Sequence, residues 1–369
     1  MQISEFKLER YFAQHEFSAQ YLLSSSDSQG LPLQAVLEQA SDEALELWSS
    51  LELGYTESLG SPLLRETILQ HYRATSIDHV LVSSPGELHF SLMNVLLSPD
   101  DHVIIAGPCY QAHYAVVEAI GCQISMWLPD PTTWQFDTDA LDELTQEHTK
   151  LIVVNFPHNP TGSYWDAAQQ QAIINIASKF GAYVYSDEMY YKLAKDQATI
   201  LPPLSDLYDK GISLWGTSKS LGAAGLRVGW LVAQDRKLLM KVAKFKDYLS
   251  ICTNAPSEVL TMILLNQVDH FLKINVDRIQ RNIALFEQFV DEQTLFKSFI
   301  KPQAGSTAFV ELDIEESALD FSDRLVEQAN VMALPSEMFD YPGKYLRIGF
   351  GRDNFAKSLE VLGDHLKGY

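Results

Sequence analysis

The stretch Ser218-Lys219-Ser220-Leu221-Gly222-Ala223-Ala224-Gly225-Leu226-Arg227-Val228-Gly229 sets a lysine and an arginine eight residues apart among small residues. Apolar runs at Gly211–Trp215 and Val228–Val232 flank the stretch and predict two strands. A lysine becomes a nucleophile when nearby positive charge favours its neutral form, and a guanidinium binds a phosphate bidentately. The stretch therefore predicts a ligand site with a reactive lysine at a strand end.

Further short apolar runs precede this stretch, at His79–Val82, His102–Ala106, Gln123–Met126, Leu151–Phe156 and Ala182–Tyr185. Several are almost continuously apolar, which is typical of strands buried on both faces. Longer segments with helical periodicity separate them, and strands that alternate with helices favour a mostly parallel sheet. The fold class predicted is α/β, with a large ligand-binding domain whose sheet is flanked by helices.

The remaining segments predict a second, smaller unit. Helices are expected over Leu33–Leu51 and Pro62–Tyr72, residues 235–295 are mostly helical, and short strands and helices mix after Phe309. We therefore expect a large domain over 46–275 and a small α+β domain over 276–369, against which the N-terminal segment 1–45 packs.

Polar and aromatic residues follow the predicted strands at the points where each strand ends. Tyr110 follows one run, Asn159 opens an Asn-Pro-Thr-Gly turn after another, and Asp187 with Tyr190 follows a third. Ligands of open parallel sheets bind beyond the carboxyl ends of the strands. Read alone, each residue fits a turn, a cap or a core position; together with Lys219 they predict one site.

This order of residues resembles the class I/II aminotransferase superfamily of fold-type I pyridoxal 5′-phosphate (PLP) enzymes, over about Tyr55 to Arg347. The resemblance implies that PLP is the cofactor and that Lys219 carries it as a Schiff base. It implies further that the cofactor ring is held by Tyr110, which stacks on it, by Asn159 and Tyr190 at the phenolic oxygen, and by Asp187 at the pyridinium nitrogen.

The phosphate contacts that the resemblance implies come from Gly86, Glu87, Ser218 and Arg227. The chain departs from the family pattern at Pro85 and Gly216, where relatives often have a glycine and a hydroxyl residue, respectively. Proline lacks a backbone N–H, and a Glu87 carboxylate near a phosphate is unfavourable unless it turns away.

The resemblance also implies a substrate site and a dimer. Arg347 would bind the substrate α-carboxylate with Ser26 beside it, and Tyr55 would reach the phosphate of a partner subunit in a homodimer. Leu249 stands where relatives specific for dicarboxylic substrates have an arginine, which disfavours such a substrate.

The reaction implied is ping-pong transfer of an amino group from an amino acid to a 2-oxo acid. The same residues also support a β-eliminating lyase or a cyclising synthase, which differ only after proton removal. A catalytically silent PLP-fold binding protein is a further alternative. The sequence has no GxGxxG or Walker-type loop, which argues against a plain nucleotide-binding protein.

Composition restricts the partners. The 369 residues carry a net charge of −21, which argues against nucleic acid and against anionic membranes. The three cysteines, Cys109, Cys122 and Cys252, have no metal-ligand spacing, and no run approaches 18 apolar residues. A cytoplasmic protein without a metal is expected.

Overall fold

The computed structural model describes residues 2–367, so the ends of the predicted terminal segments, at 1 and 368–369, lie outside the described residues. Its helices, numbered in chain order, are α1 Lys7–His15, α2 Leu33–Leu37, α3 Asp42–Ser49, α4 Pro62–Leu69, α5 Pro85–Leu96, α6 Ala112–Ile120, α7 Thr138–Leu144, α8 Ala167–Phe180, α9 Arg236–Lys246, α10 Ala255–Asn266, α11 Val268–Asp291, α12 Ala318–Ala329 and α13 Phe355–Leu366.

The strands, numbered the same way, are β1 Tyr21–Leu22, β2 Val80–Ser83, β3 His102–Ala106, β4 Gln123–Trp127, β5 Thr149–Asn155, β6 Tyr183–Asp187, β7 Gly211–Gly216, β8 Gly229–Ala233, β9 Phe296–Ser298, β10 Thr307–Leu312, β11 Val331–Met332, β12 Leu334–Pro335 and β13 Tyr345–Gly349. Each apolar run that predicted a strand between residues 79 and 232 forms one, with ends shifted by no more than two residues.

The large sheet has seven strands in the order β2-β8-β7-β6-β5-β3-β4. Strand β8 runs antiparallel to both its neighbours, and every other pairing is parallel. All five residues of β3 are buried, as expected for a strand covered on both faces. The predicted mostly parallel α/β sheet is confirmed.

A second, smaller sheet pairs β12-β13-β10-β9 antiparallel, and the two-residue strand β1 pairs with β11 in parallel. The pairing Tyr21↔Val331 fixes the N-terminal segment against the C-terminal part of the chain. The domain limits stay a prediction; the proposed boundary at 275/276 falls inside α11.

Two predicted helices differ from the structure. The segment Leu33–Leu51 forms two helices because Ser41 interrupts it; its hydroxyl accepts a hydrogen bond from Ala44 N (3.3 Å) and so caps α3. The helix expected over Pro62–Tyr72 ends at Leu69. Among residues 2–367, no helix is both long and apolar enough to cross a lipid bilayer.

Candidate active site

A cavity of about 410 Å³ lies at the carboxyl ends of β3, β5, β6 and β7. Most of the residues predicted from sequence line it: Ser26, Gly86, Tyr110, Asn159, Asp187, Tyr190, Ser218, Lys219, Arg227 and Arg347. Only Glu87 and Tyr55 of the predicted set do not. The parallel sheet gathers these side chains because its strand ends share one edge.

Lys219 follows β7 and reaches across to the N-terminal segment. Its Nζ donates a hydrogen bond to Ser26 Oγ (2.9 Å), 193 residues away in the chain. The backbone of Ser26 is itself held by Ser306, whose Oγ donates to the Ser26 carbonyl (2.6 Å). Ser26, predicted to lie beside the substrate, thus contacts Lys219 in this structure.

Asp187, at the end of β6, is oriented by neighbours on both carboxylate oxygens. His113 Nε2 donates to Oδ2 (3.1 Å), and Met189 N donates to Oδ1 (3.1 Å). The strand end is fixed further by Asn155, whose Nδ2 donates to the Asp187 carbonyl (2.7 Å). A carboxylate held in this way can pair with a protonated ring nitrogen in the cavity.

Asn155 also orients the turn that carries Asn159, because its Oδ1 accepts a hydrogen bond from Asn159 N (2.9 Å). The turn closes at Gly162, where φ is +72°, a conformation that favours glycine. A Cβ at Gly162 would lie 2.4 Å from the carbonyl oxygen of Thr307. Glycine is therefore required for this turn to approach β10.

Arg347, on β13, is 2% exposed and lies against Asn159. Its Nη1 donates to Asn159 Oδ1 (3.1 Å) and its Nη2 to the Ser24 carbonyl (2.6 Å), while its Nε has no partner. Burial lowers the pKa of the guanidinium, and the neighbouring Tyr190 and Asp27 oppose that effect. An incompletely paired buried cation that faces a cavity is suited to bind an anion.

A pair of histidines extends from Asp187 beneath the cavity. The rings of His113 and His89 lie 5.2 Å apart. Burial, together with the nearby His113, lowers the pKa of His89 to about 4, so His89 is neutral at pH 7. The Ala112 carbonyl accepts from His89 Nε2 (2.9 Å), which leaves Nδ1 to accept from the Tyr185 hydroxyl (3.3 Å).

The opposite end of the cavity has groups suited to a phosphate. Helix α5 begins at Pro85, and Pro85 and Gly86 line the cavity with the helix N-terminus, where free N–H groups attract anions. Arg227 lines the same end, and the buried Ser218 Oγ has no hydrogen-bond partner. An unsatisfied hydroxyl beside an arginine and a helix N-terminus fits a phosphate ester.

Glu87 is turned away from this end. Its Oε2 accepts from Ser83 Oγ (2.6 Å) and its Oε1 from Ser250 N (3.2 Å). The carboxylate thus lies outside the cavity, and only the backbone N–H of Glu87 remains to serve the predicted phosphate role.

Tyr55 also lies outside the cavity and is 90% exposed. Its predicted role at a partner's site stays a prediction.

Several cavity residues were missed from sequence. The N-terminal helix α1 contributes Leu8, Glu9 and Phe12, its C-cap residue Glu16 also lines the cavity, and the network below the cavity contributes Asn155, His89 and His113. Tyr11 and Phe12, which follow Leu8 at helical spacing, were the available signal for α1. His113 lies three residues after Tyr110, in the first turn of α6.

The described residues fit PLP on these observations. Lys219 lines the cavity, the Asp187 carboxylate is held in place and could pair with a ring nitrogen, and the buried Ser218 hydroxyl, which has no partner, lines it together with Arg227 and could bind a phosphate. The aromatic ring of Tyr110 lines the same space. Among residues 2–367, no group of three or more His, Cys, Asp or Glu side chains is placed to hold a metal ion.

Comparison with known proteins also points to a PLP-dependent enzyme. The sequence model of the family described as "Aminotransferase class I and II" matches residues 18–358. The chain is 27% identical to a capreomycidine synthase of Streptomyces vinaceus, over 84% of this chain and 81% of the relative. It is 26% identical to an aspartate aminotransferase of Thermotoga maritima, over 89% and 86%.

Two solved structures have the same fold. A PLP-dependent aminotransferase from Streptococcus suis superposes with a TM-score of 0.92 at 27% identity and covers 100% of this chain and 99% of its own. The PLP-dependent cyclase OrfR superposes with a TM-score of 0.90 at 21% identity, over 100% and 98%.

Proposed function

The chain belongs to the aminotransferase class I and II family, whose cofactor is PLP, and from that premise we propose that it transfers an amino group from an amino acid to a 2-oxo acid. The observation that carries the proposal is the single cavity in which Lys219, Asp187 and Arg347 meet. A ping-pong order follows, because one site must accept the two substrates in turn.

Each cofactor contact is proposed from the position of the contacting residue in this cavity. Lys219 would carry the cofactor, Asp187 would keep the ring nitrogen protonated, and Tyr110 would lie on the ring. Asn159 and Tyr190 would donate to the phenolic oxygen. The phosphate would be bound by Ser218, Arg227 and the backbone N–H groups of Gly86 and Glu87.

The remaining residues of the cavity would bind the substrate, accept its Cα proton and keep Asp187 oriented. Arg347 would bind the α-carboxylate and so fix which bond at Cα faces the cofactor. PLP supplies an electron-withdrawing ring, which makes the Cα proton acidic. Lys219 Nζ, held over the cavity near Ser26, would accept that proton. His113 would keep the Asp187 carboxylate oriented throughout.

A second candidate is a cyclising synthase, which the 27% identity to a capreomycidine synthase favours. A β-eliminating lyase would use the same lysine and carboxylate. The reactions differ in what leaves or attacks after proton removal, so the products distinguish them.

A two-fold dimer is also proposed, with Tyr55 contributed to the partner's phosphate. Large apolar side chains near Tyr55 are unusually exposed: Leu53 is 85% and Tyr248 91% exposed. Thr56 Oγ1 donates to the Thr253 carbonyl (2.8 Å), which ties the Tyr55 segment to the loop that follows α9.

The three cysteines are free, which supports a cytoplasmic location.

The test begins with Lys219. Borohydride reduction of the holoenzyme should leave a phosphopyridoxyl group on Lys219, with a mass increase equal to that of the cofactor minus water plus two hydrogen atoms. Single-turnover reaction with an amino acid should yield one equivalent of 2-oxo acid. Lys219→Ala should abolish both, whereas Lys244→Ala, an exposed lysine of α9, should leave both intact. Turnover by Lys219→Ala would refute the assignment; ammonia formed together with pyruvate would identify elimination instead.

A further inference from the structure

The helix α1 forms one wall of the cavity and places two carboxylates there. Glu9, Phe12 and Glu16 are spaced by three and four residues, which puts them on one face of the helix, and all three line the cavity. Glu16 is the C-cap residue, directly after the last residue of the helix, and keeps a helical backbone conformation. The part of the cavity opposite the strand ends is therefore acidic, with one aromatic ring between the acids.

Under the proposed function, each basic group of the cavity already has an anionic or cofactor partner. Lys219 bonds the cofactor, Arg227 faces its phosphate and Arg347 takes the substrate α-carboxylate. Among the acids of the cavity, Asp187 serves the ring nitrogen, and Asp27 is paired with Arg352 (3.0 Å).

Among the described residues, Glu9 and Glu16 form no ion pair, although Glu9 acts electrostatically on Arg347, and Arg352 and Lys219 act on Glu16. Glu9 Oε1 accepts a hydrogen bond from the Tyr110 hydroxyl (2.7 Å), which holds its carboxylate at the cavity wall. Within residues 2–367, neither acid has a lysine, arginine or histidine nitrogen within 4.0 Å. Burial first, and then the nearby Asp27, raise the pKa of Glu16, and the positive charges of Arg352 and Lys219 oppose that effect only in part.

A second observation shows that this space receives a ligand. Arg347 is 2% exposed, lines the same cavity, and has a buried Nε without a hydrogen-bond partner. The ring of Phe12 lies 5.8 Å from its guanidinium carbon. A substrate whose α-carboxylate binds Arg347 therefore has its side chain close to Phe12 and within the field of the two glutamates.

We propose that the substrate is an amino acid whose side chain ends in a cation, a guanidinium or an ammonium group, and that Glu9 and Glu16 bind it while Phe12 contacts its methylene groups. This proposal rests on the proposed function and names its substrate class. Glu9 and Glu16 are half-buried. Partial burial of an unpaired carboxylate is unfavourable, and a cationic side chain reduces that cost by pairing with it.

A dicarboxylic substrate fits this cavity poorly. Its second carboxylate would meet Glu9 and Glu16, and like charges at close range repel. Within the described part of the chain, no lysine or arginine other than Lys219, Arg227 and Arg347 lines the cavity. Leu249, where an arginine would serve such a substrate, does not line it. The identity to an aspartate aminotransferase therefore does not extend to the substrate.

The test compares two amino acids of nearly equal shape and different charge. Holoenzyme is titrated with L-arginine and with L-citrulline, its neutral counterpart, and dissociation constants are read from the cofactor absorbance. We expect L-arginine to bind at least about tenfold more tightly, the effect of one charge-assisted contact. Glu9→Gln and Glu16→Gln should each reduce that preference, and the double variant should abolish it.

Matched controls separate the possible failures. Glu5→Gln removes an exposed carboxylate two residues before α1 and should keep the preference. Glutamine keeps an acceptor for Tyr110, and normal cofactor loading shows that each variant is folded. Equal binding of the two amino acids, tighter binding of L-glutamate, or a preference retained by the double variant would overturn this proposal. Failure of Lys219 to take up the cofactor would instead overturn the proposed function.

Discussion

Glu188, the neighbour of Asp187 on the other face of the sheet, makes stability depend on pH. Its Oε1 accepts from Leu204 N (3.0 Å) and Ser213 Oγ (2.8 Å), while the buried Oε2 has no partner. Burial raises the pKa of this carboxyl from its ordinary 4.5 to about 8, and the hydrogen bonds from Leu204 N and Ser213 Oγ only partly oppose that.

The sign of the effect follows from where the proton binds more tightly. The folded protein holds this proton up to about pH 8, whereas the unfolded chain releases it near pH 4.5. Stability from the neutral carboxyl is therefore complete below pH 4.5 and is lost as pH rises through 8. At about 1.36 kcal/mol per pH unit, that interval corresponds to at most roughly 5 kcal/mol.

The perturbation is Glu188→Gln, which keeps the Oε1 acceptor and is neutral at every pH. Thermal unfolding midpoints of wild type and variant are measured from pH 5 to pH 9, both with cofactor. The wild-type midpoint should fall relative to that of the variant by up to roughly 10 °C, at about 2 °C per kcal/mol for a chain of this size. A difference between the two midpoints that stays constant over this range would refute the reasoning. The control Glu5→Gln, which removes an exposed carboxylate, should show the same pH dependence as the wild type.

Two further changes test the substrate site and the dimer. Arg347→Gln should raise the amino acid concentration for half-maximal rate by roughly 10- to 100-fold, the loss of a charged hydrogen bond, with cofactor loading unchanged; an unchanged half-saturation would contradict the carboxylate role. Tyr55→Phe, which removes one hydroxyl and keeps the ring, should weaken cofactor retention by roughly tenfold during dialysis, while light scattering still reports a dimer. A monomer in the wild type would contradict the shared site.

The resemblance to a family identified much of the site because its signals are local. A strand of five to seven residues, its polar end and a glycine-requiring turn such as that at Gly162 are each encoded within about ten residues. The strand ends of a parallel sheet then meet at one edge, so Asn159, Asp187 and Lys219 could be placed together from the order of the strands along the chain.

Contacts between distant segments could not be read this way. The position of Glu87 depends on Ser250, 163 residues later, which draws its carboxylate out of the cavity. The broken helix at Ser41 shows the reverse case, where one local cap overrides a continuous apolar pattern.

By itself, the sequence determined the α/β fold and the order along the chain of Lys219 and the other predicted site residues, because periodicity, turns and caps act over short distances. Only the tertiary structure decided that α1 covers the cavity and brings Glu9 and Glu16 to the substrate side. That placement comes from packing and from long-range contacts such as Tyr110 with Glu9 and Lys219 with Ser26. Such contacts join residues 101 and 193 positions apart, and no local pattern specifies them.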